Sequence, residues 1–125
     1  MIPLFASEAE IAAAIAKAER EFRERPPTIR SRNPATAWVG FLGEAKLARW
    51  ASRAVRVDEV DGQEPGAPDL SVGGVLVDAK TLHRNVPPRP DYWGYAFRDQ
   101  TERGWSSEVF FCSYESRGKR LFLCG

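Results

Sequence analysis

Hydrophobic and polar positions along this chain follow two periods. Near the start, Ile11, Ile15, Ala18 and Phe22 recur at the spacing of one face of an α-helix. Ser7 and Glu10 form a capping box ahead of them, and Pro26-Pro27 predicts the stop. A basic loop, "TIRSRN", follows, and Asn33-Pro34 supplies an N-cap with proline at N1. The second helix is predicted to run from there to about Arg53. Beyond it the period shifts to two. "AVRVDEV" predicts a short strand, "LSVGGVLVDAK" a β-hairpin, and "SEVFFCSYE" with "RLFLCG" two further strands around a turn at "SRGK". Between them lie a Gly/Pro loop, an aromatic loop broken by prolines at "HRNVPPRPDYWGYAF", and "RDQTERG", long enough for one or two helical turns.

The hairpin poses the first chemical question. With Gly73-Gly74 as a two-residue turn, Val72 pairs with Val75, Ser71 with Leu76 and Leu70 with Val77. Counting on, Asp69 falls opposite Asp78. Leu70, Val72, Val75, Val77 and Ala79 make an apolar face, while Asp69, Asp78, Lys80, Ser71 and Leu76 share the other. Two carboxylates about 5 Å apart repel by roughly 3 kcal/mol at an effective dielectric near 20. A shared proton, a nearby cation or a bound metal has to offset that repulsion.

The second helix poses another. Gly40, Phe41, Glu44, Leu47, Ala48 and Ala51 fall on one face, so an acid interrupts a stripe of small and apolar residues. Acids are rarely buried alone. Glu44 either points to the same place as Asp69 and Asp78 or lies at the helix edge and reaches for water. Gly40 and Gly43 each cost the helix about 1 kcal/mol relative to alanine, a cost that a close approach by another backbone would explain.

Composition narrows the classes. A chain of 125 residues with 43% hydrophobic residues and a net charge of +1 is expected to form one globular domain over residues 1–125, with no global basic field. Arginines nevertheless outnumber lysines, and Arg20, Arg23, Arg25, Arg30 and Arg32 cluster, either as phosphate partners or as a solvated helix end. Cys112, Cys124 and the single histidine, His83, lack zinc-site spacing, and both thiols are expected to be reduced and buried. His83 reads as structural or as a phosphate neighbour. Without a signal sequence or a long apolar run, a cytoplasmic protein with no membrane partner is expected.

Taken together, Gly43-Glu44 in a helix, Pro68-Asp69 opening a hairpin and Asp78-Ala79-Lys80 on its return strand resemble the PD-(D/E)xK nuclease superfamily. The resemblance covers residues 34 to 81 well and the rest loosely. It implies an α/β fold with a restriction-endonuclease-like core: a mixed sheet of four or five strands, helices on its faces and the hairpin at its centre. The implied activity is Mg²⁺-dependent hydrolysis of DNA phosphodiesters, with Mn²⁺ able to substitute, by an endonuclease on branched or structured DNA working as a homodimer, as Holliday-junction resolvases do. Asp69, Asp78, the carbonyl of Ala79 and Glu44 are the implied metal ligands, and Lys80 is the group that positions water or stabilises transition-state charge. Arg30, Arg32 and Gln100 are the implied nucleic-acid contacts. Tyr92, Trp93, Tyr95 and Phe97 either stack on bases or pin their own loop to the core. The other classes left open are a degenerate nuclease fold that binds nucleic acid or protein without cleaving, and a small interaction domain whose acids are surface charges.

Overall fold

The structure is a computed structural model that describes residues 1–24, 34–60, 68–89 and 108–125. Six strands form one mixed sheet: β1 (Ile2–Phe5), β2 (Val57–Glu59), β3 (Leu70–Val72), β4 (Val75–Arg84), β5 (Glu108–Glu115) and β6 (Arg120–Leu123). Their order is β1-β6-β5-β4-β3-β2, and the two helices are α1 (Glu8–Glu24) and α2 (Pro34–Ala51). The fold class is therefore α/β, with six strands rather than the expected four or five because β1 joins the sheet through β6. Only β4 and β5 run parallel, with Ala79 beside Phe110 and Thr81 beside Cys112. Every other neighbouring pair is antiparallel. No helix among the described residues is long and apolar enough to cross a membrane.

The capping box forms as the sequence predicts. Glu10 N–H donates to Ser7 Oγ and Ser7 N–H donates to Glu10 Oε1, each at 3.1 Å. The same carboxylate reaches further, because Lys46 of α2 donates to Glu10 Oε2 at 2.9 Å and to the Phe5 carbonyl at 2.9 Å. One ammonium thus ties α2 to the start of α1 and the end of β1. Burial pushes the Glu10 carboxyl up, but the bonds from Lys46 and Ser7 outweigh it and leave the group below its ordinary range.

The packed side of α1 keeps Ile11, Ala18 and Phe22 of the predicted stripe and exchanges Ile15 for Ala14. Ala14 and Ala18 are buried and Ile15 is exposed, so close approach to α2 is won with small residues rather than with the larger isoleucine. Helix α2 is buried on several sides, at Ala37, Val39, Leu42, Leu47 and Ala51, because α1 covers it while it lies on the sheet. The core runs from these residues to Leu70, Val77, Ala79, Cys112, Tyr114, Leu121 and Leu123 on one face of the sheet. Trp38 meets Tyr114 edge to face at 5.4 Å, and His83 lies against Tyr114 at 5.6 Å, which gives the histidine a packing role. Val75, counted on the apolar face, is exposed near the hairpin turn, and Cys124 is exposed while Cys112 is buried. Both cysteines are free, and burial pushes the Cys112 thiol up to about 12.

Strand β1 is the element that the sequence pattern does not predict. Four residues with a proline carry little strand signal of their own, and the antiparallel partner β6 supplies it. Pro3 is tolerated there because β1 is at the sheet edge.

Gly43 lies where α2 meets β4, and a Cβ on it would run into Thr81 Oγ1. What comes close is the Thr81 side chain rather than the backbone that the sequence suggests, and the helix forgoes propensity to sit against it. Gly43→Ala should therefore destabilise the protein by about 1–3 kcal/mol through overpacking, although alanine is the better helix former by about 1 kcal/mol. Urea denaturation measures the sign, and an unchanged or raised midpoint would contradict the close approach.

Candidate active site

The hairpin has the register that counting predicts: Val72 pairs with Val75, Ser71 with Leu76 and Leu70 with Val77. Gly73 and Gly74 both take positive φ, at 57° and 86°, as a tight turn between twisted strands requires. Strand β3 ends its pairing at Leu70 while β4 continues to Arg84. At that step the backbone ladder gives way to a side chain. Asp69 N–H still donates to the Val77 carbonyl at 3.0 Å, and Ala79 N–H then donates to Asp69 Oδ2 at 2.8 Å. Val60 N–H donates to the Asp69 carbonyl at 3.0 Å, so Asp69 is held from both sides.

The paired register ends at Leu70–Val77, so the counted pairing of Asp69 with Asp78 is not part of the ladder; Asp78, the next residue of β4, is 3% exposed. The two carboxyls are within hydrogen-bonding reach of each other, and Glu44 of α2 reaches Asp69 as well. The structure thus brings Glu44, Asp69 and Asp78 together. Lys80 projects on the Asp78 side of β4, and its Nζ lies 3.0 Å from Asp78 Oδ2, with side chains 12% and 4% exposed. That contact is Coulombic only: Asp78 Oδ2 is buried and accepts no hydrogen bond among the described residues. His83 falls on the opposite face of β4 from Lys80 by strand alternation.

Burial and crowding make Asp69 and Glu44 harder to ionise. Burial pushes Asp69 up to about 8, reinforced by the charge of Glu44 and by Asp78. The Ala79 N–H pulls the other way and loses. Burial also raises Glu44, against the pull of Lys17. Two of the three remedies named for opposed carboxylates are therefore present: a proton on Asp69 and an ammonium beside Asp78.

Lys17 is the residue that sequence reading misses. From α1 its charge acts on Glu44, and its Nζ lies 3.9 Å from Glu59 Oε1 and 5.0 Å from the centre of the Phe41 ring. Its signal was available, since a lysine next to Ala18 and three residues after Ala14 interrupts a small-residue stripe as Glu44 does. Arg25, Arg30, Arg32, Tyr92, Trp93, Tyr95, Phe97 and Gln100 lie outside the described residues.

Whether the acids suit a divalent cation depends on donor type and arrangement. Three carboxylates and a backbone carbonyl are the hard oxygen donors that Mg²⁺ takes, and the buried Asp78 Oδ2 without a donor is an oxygen available to a cation. As they stand, however, Asp69 is engaged with Ala79 N–H and Asp78 with Lys80. Among the described residues no group of three or more His, Cys, Asp or Glu side chains is arranged to hold a metal ion. The donors fit in kind, and a cation would have to displace the proton and loosen the Asp78–Lys80 pair.

Comparison with known proteins adds no family: no family model matches, nor does any curated protein or solved structure.

The proton on Asp69 has a consequence for stability. In the unfolded chain this carboxyl titrates near its ordinary 3.8, and in the folded protein near 8. Across that window the folded state binds more protons, so its contribution is complete below pH ~4 and is lost as pH rises towards ~8. The metal-free protein should melt at a lower temperature at pH 8 than at pH 5. Asp69→Asn, which keeps an oxygen for Ala79 N–H and removes the charge, should flatten that fall. Thermal melts in EDTA across this range check both, and parallel pH profiles for parent and variant would overturn the assignment.

Proposed function

We propose that the protein is a metal-dependent nuclease of the PD-(D/E)xK type, hydrolysing phosphodiester bonds in DNA. The observation that carries this reading is the convergence of Glu44 from α2 with Asp69 and Asp78 across the hairpin, and Lys80 at 3.0 Å from Asp78. The central β4, the short β3 that leaves it at Asp69, and α2 packed on β4 through Gly43 are consistent with a restriction-endonuclease-like core.

In this reading Asp69, Asp78, the carbonyl of Ala79 and Glu44 hold Mg²⁺, or Mn²⁺ in its place. The bound cation supplies Lewis-acid polarisation of the scissile phosphate and a more acidic water. The chain's own residues do the rest. Asp69 gives up its proton when it takes on the ligand role, which ties activity to pH. Lys80, released from Asp78, presents its ammonium to the phosphate oxygens where negative charge develops. Because Lys80 is mostly buried, its donor direction is set by packing rather than by solvent. Arg30, Arg32 and Gln100 are proposed DNA contacts on sequence grounds. An endonuclease on branched or structured DNA, acting as a homodimer, is the form proposed for a chain of this length.

A second reading has a specific observation in its favour. Asp69 holds a proton at neutral pH and Asp78 is paired with Lys80, a self-sufficient arrangement that a module binding nucleic acid or a protein without cleavage could keep. Divalent-ion titration separates the two.

Cleavage of supercoiled plasmid, linear duplex, single strands and a four-way junction should require Mg²⁺ or Mn²⁺ and stop in EDTA. Lys80→Ala should lower turnover by about 100-fold or more with little change in DNA affinity. Strong cleavage in EDTA removes the metal mechanism. The non-cleaving reading stands if Mg²⁺ leaves the melting temperature unchanged and no substrate is cut.

A further inference from the structure

Two lysines lie near the acid cluster, and their circumstances differ. Lys80 is mostly buried and committed to Asp78 at 3.0 Å. Lys17 has a side chain 33% exposed, and its carboxylate partner is Glu59 at 3.9 Å, the outer limit of an ion pair, with the glutamate side chain 82% exposed. An exposed pair at that distance is weak and yields readily to a better anion. Meanwhile the Lys17 ammonium lies 5.0 Å from the centre of the Phe41 ring, which favours one position for it. Phe41 is one helical turn before Glu44 on α2, so the ring that holds the ammonium is fixed to the helix that carries the acid. The charge of Lys17 is felt at Glu44, which places it on the α2 side of the cluster.

We propose that Lys17 is a backbone-phosphate contact of the DNA substrate, held in place by Phe41, with Glu59 as the resident anion that the phosphate displaces. This rests on the nuclease reading above and adds to it a contact from α1, on the helix side of the acids, where Lys80 serves the strand side. Lys17 touches a phosphate next to the scissile one and takes no part in bond cleavage. Glu59 then limits affinity: its carboxylate competes with DNA for one cation, and repels the incoming backbone.

The test is binding and cleavage of one labelled duplex and one four-way junction by the full chain. Affinity is measured in Ca²⁺ at a series of salt concentrations, and cleavage in Mg²⁺. Lys17→Met keeps the aliphatic stem against Phe41 and removes the charge. It should weaken binding most at low salt and reduce the slope of log K against log salt by about 0.9, the loss of one phosphate contact on duplex DNA. It should raise KM with kcat nearly unchanged. Lys17→Arg should restore the slope, which a purely structural role would not predict. Glu59→Gln should tighten binding. If the parent protein binds DNA and Lys17→Met leaves affinity and slope unchanged, the inference about Lys17 fails while the nuclease reading stands. If Lys17→Met lowers kcat and leaves affinity intact, Lys17 serves the acid cluster instead of a phosphate, and the proposal is again overturned. A parent protein that neither binds nor cleaves either DNA overturns both.

Discussion

The hydrogen bond from Ala79 N–H to Asp69 Oδ2 occupies the place where a strand would otherwise continue. Strand β4 runs on past Leu70's partner, Val77, and needs an acceptor for its next inward amide. A side chain supplies it, so β3 can turn away without leaving a buried N–H unpaired. Two outcomes are linked by that one bond. The sheet acquires a step beside its central strand, and the carboxylate that fills the step is brought close to Asp78. Had β3 continued, Ala79 N–H would have met a backbone carbonyl in place of Asp69 Oδ2.

What the step gains in geometry it costs in electrostatics. Glu44, Asp69 and Asp78 are drawn into a region where burial alone raises the first two. Fully ionised, the trio would be opposed by desolvation and by mutual repulsion of several kcal/mol at the separations of a paired strand. The fold answers with a proton, with Lys80 at one end and with Lys17 near the other. Such an arrangement is poised rather than inert, since its charge state depends on what enters. Structural acids in this same protein look different. Glu115 is as buried as Asp78, yet it accepts from Gly118 N–H with both oxygens, at 3.0 and 2.9 Å, and lies 3.5 Å from Arg120. Glu10 is satisfied by Lys46 and by its own cap. The candidate site is set apart by acids that crowd one another, with one backbone N–H and one ammonium to offset them.

The local parts of this arrangement were legible in the sequence because their causes are local. A Gly-Gly turn fixes register within a few residues, so the pairing from Val72–Val75 to Leu70–Val77 could be counted, up to the residue before Asp69. Ser7 and Glu10 carry their reciprocal bonds within one helical turn. Glu44 on a small-residue stripe, with Gly43 beside it, anticipated a close helix–strand contact, and Thr81 is that contact. What failed to show depends on partners far along the chain. Strand β1 exists through β6, more than 110 residues away, and packing places Ala14 rather than Ile15 beside Ile11 and Ala18 on the buried side of α1. Lys17 follows the same rule. The spacing within α1 puts Lys17 beside the small-residue stripe, but its position near Glu44 depends on how α1 crosses α2.

The order of the sheet also bears on how such a site tolerates ionisation. Asp78 and Lys80 lie on β4, which is paired with β5 for its whole length from Val77 to Arg84. Asp69 lies at the free end of a three-residue strand, next to the edge strand β2. Charge repulsion across the step therefore acts on two unequal partners: β4 carries the long ladder to β5, while β3 is three residues long and Asp69 itself is held by three hydrogen bonds. When Asp69 loses its proton, fewer ladder bonds resist adjustment on the β3 side. Residues on the β4 side keep their positions because the parallel ladder would have to break first. The residue proposed to meet the phosphate, Lys80, is thus on the rigid element, and the acid that must change its protonation state is on the compliant one. That division puts adjustment where proton exchange happens and keeps the cationic group fixed, which is the arrangement that transition-state charge stabilisation requires.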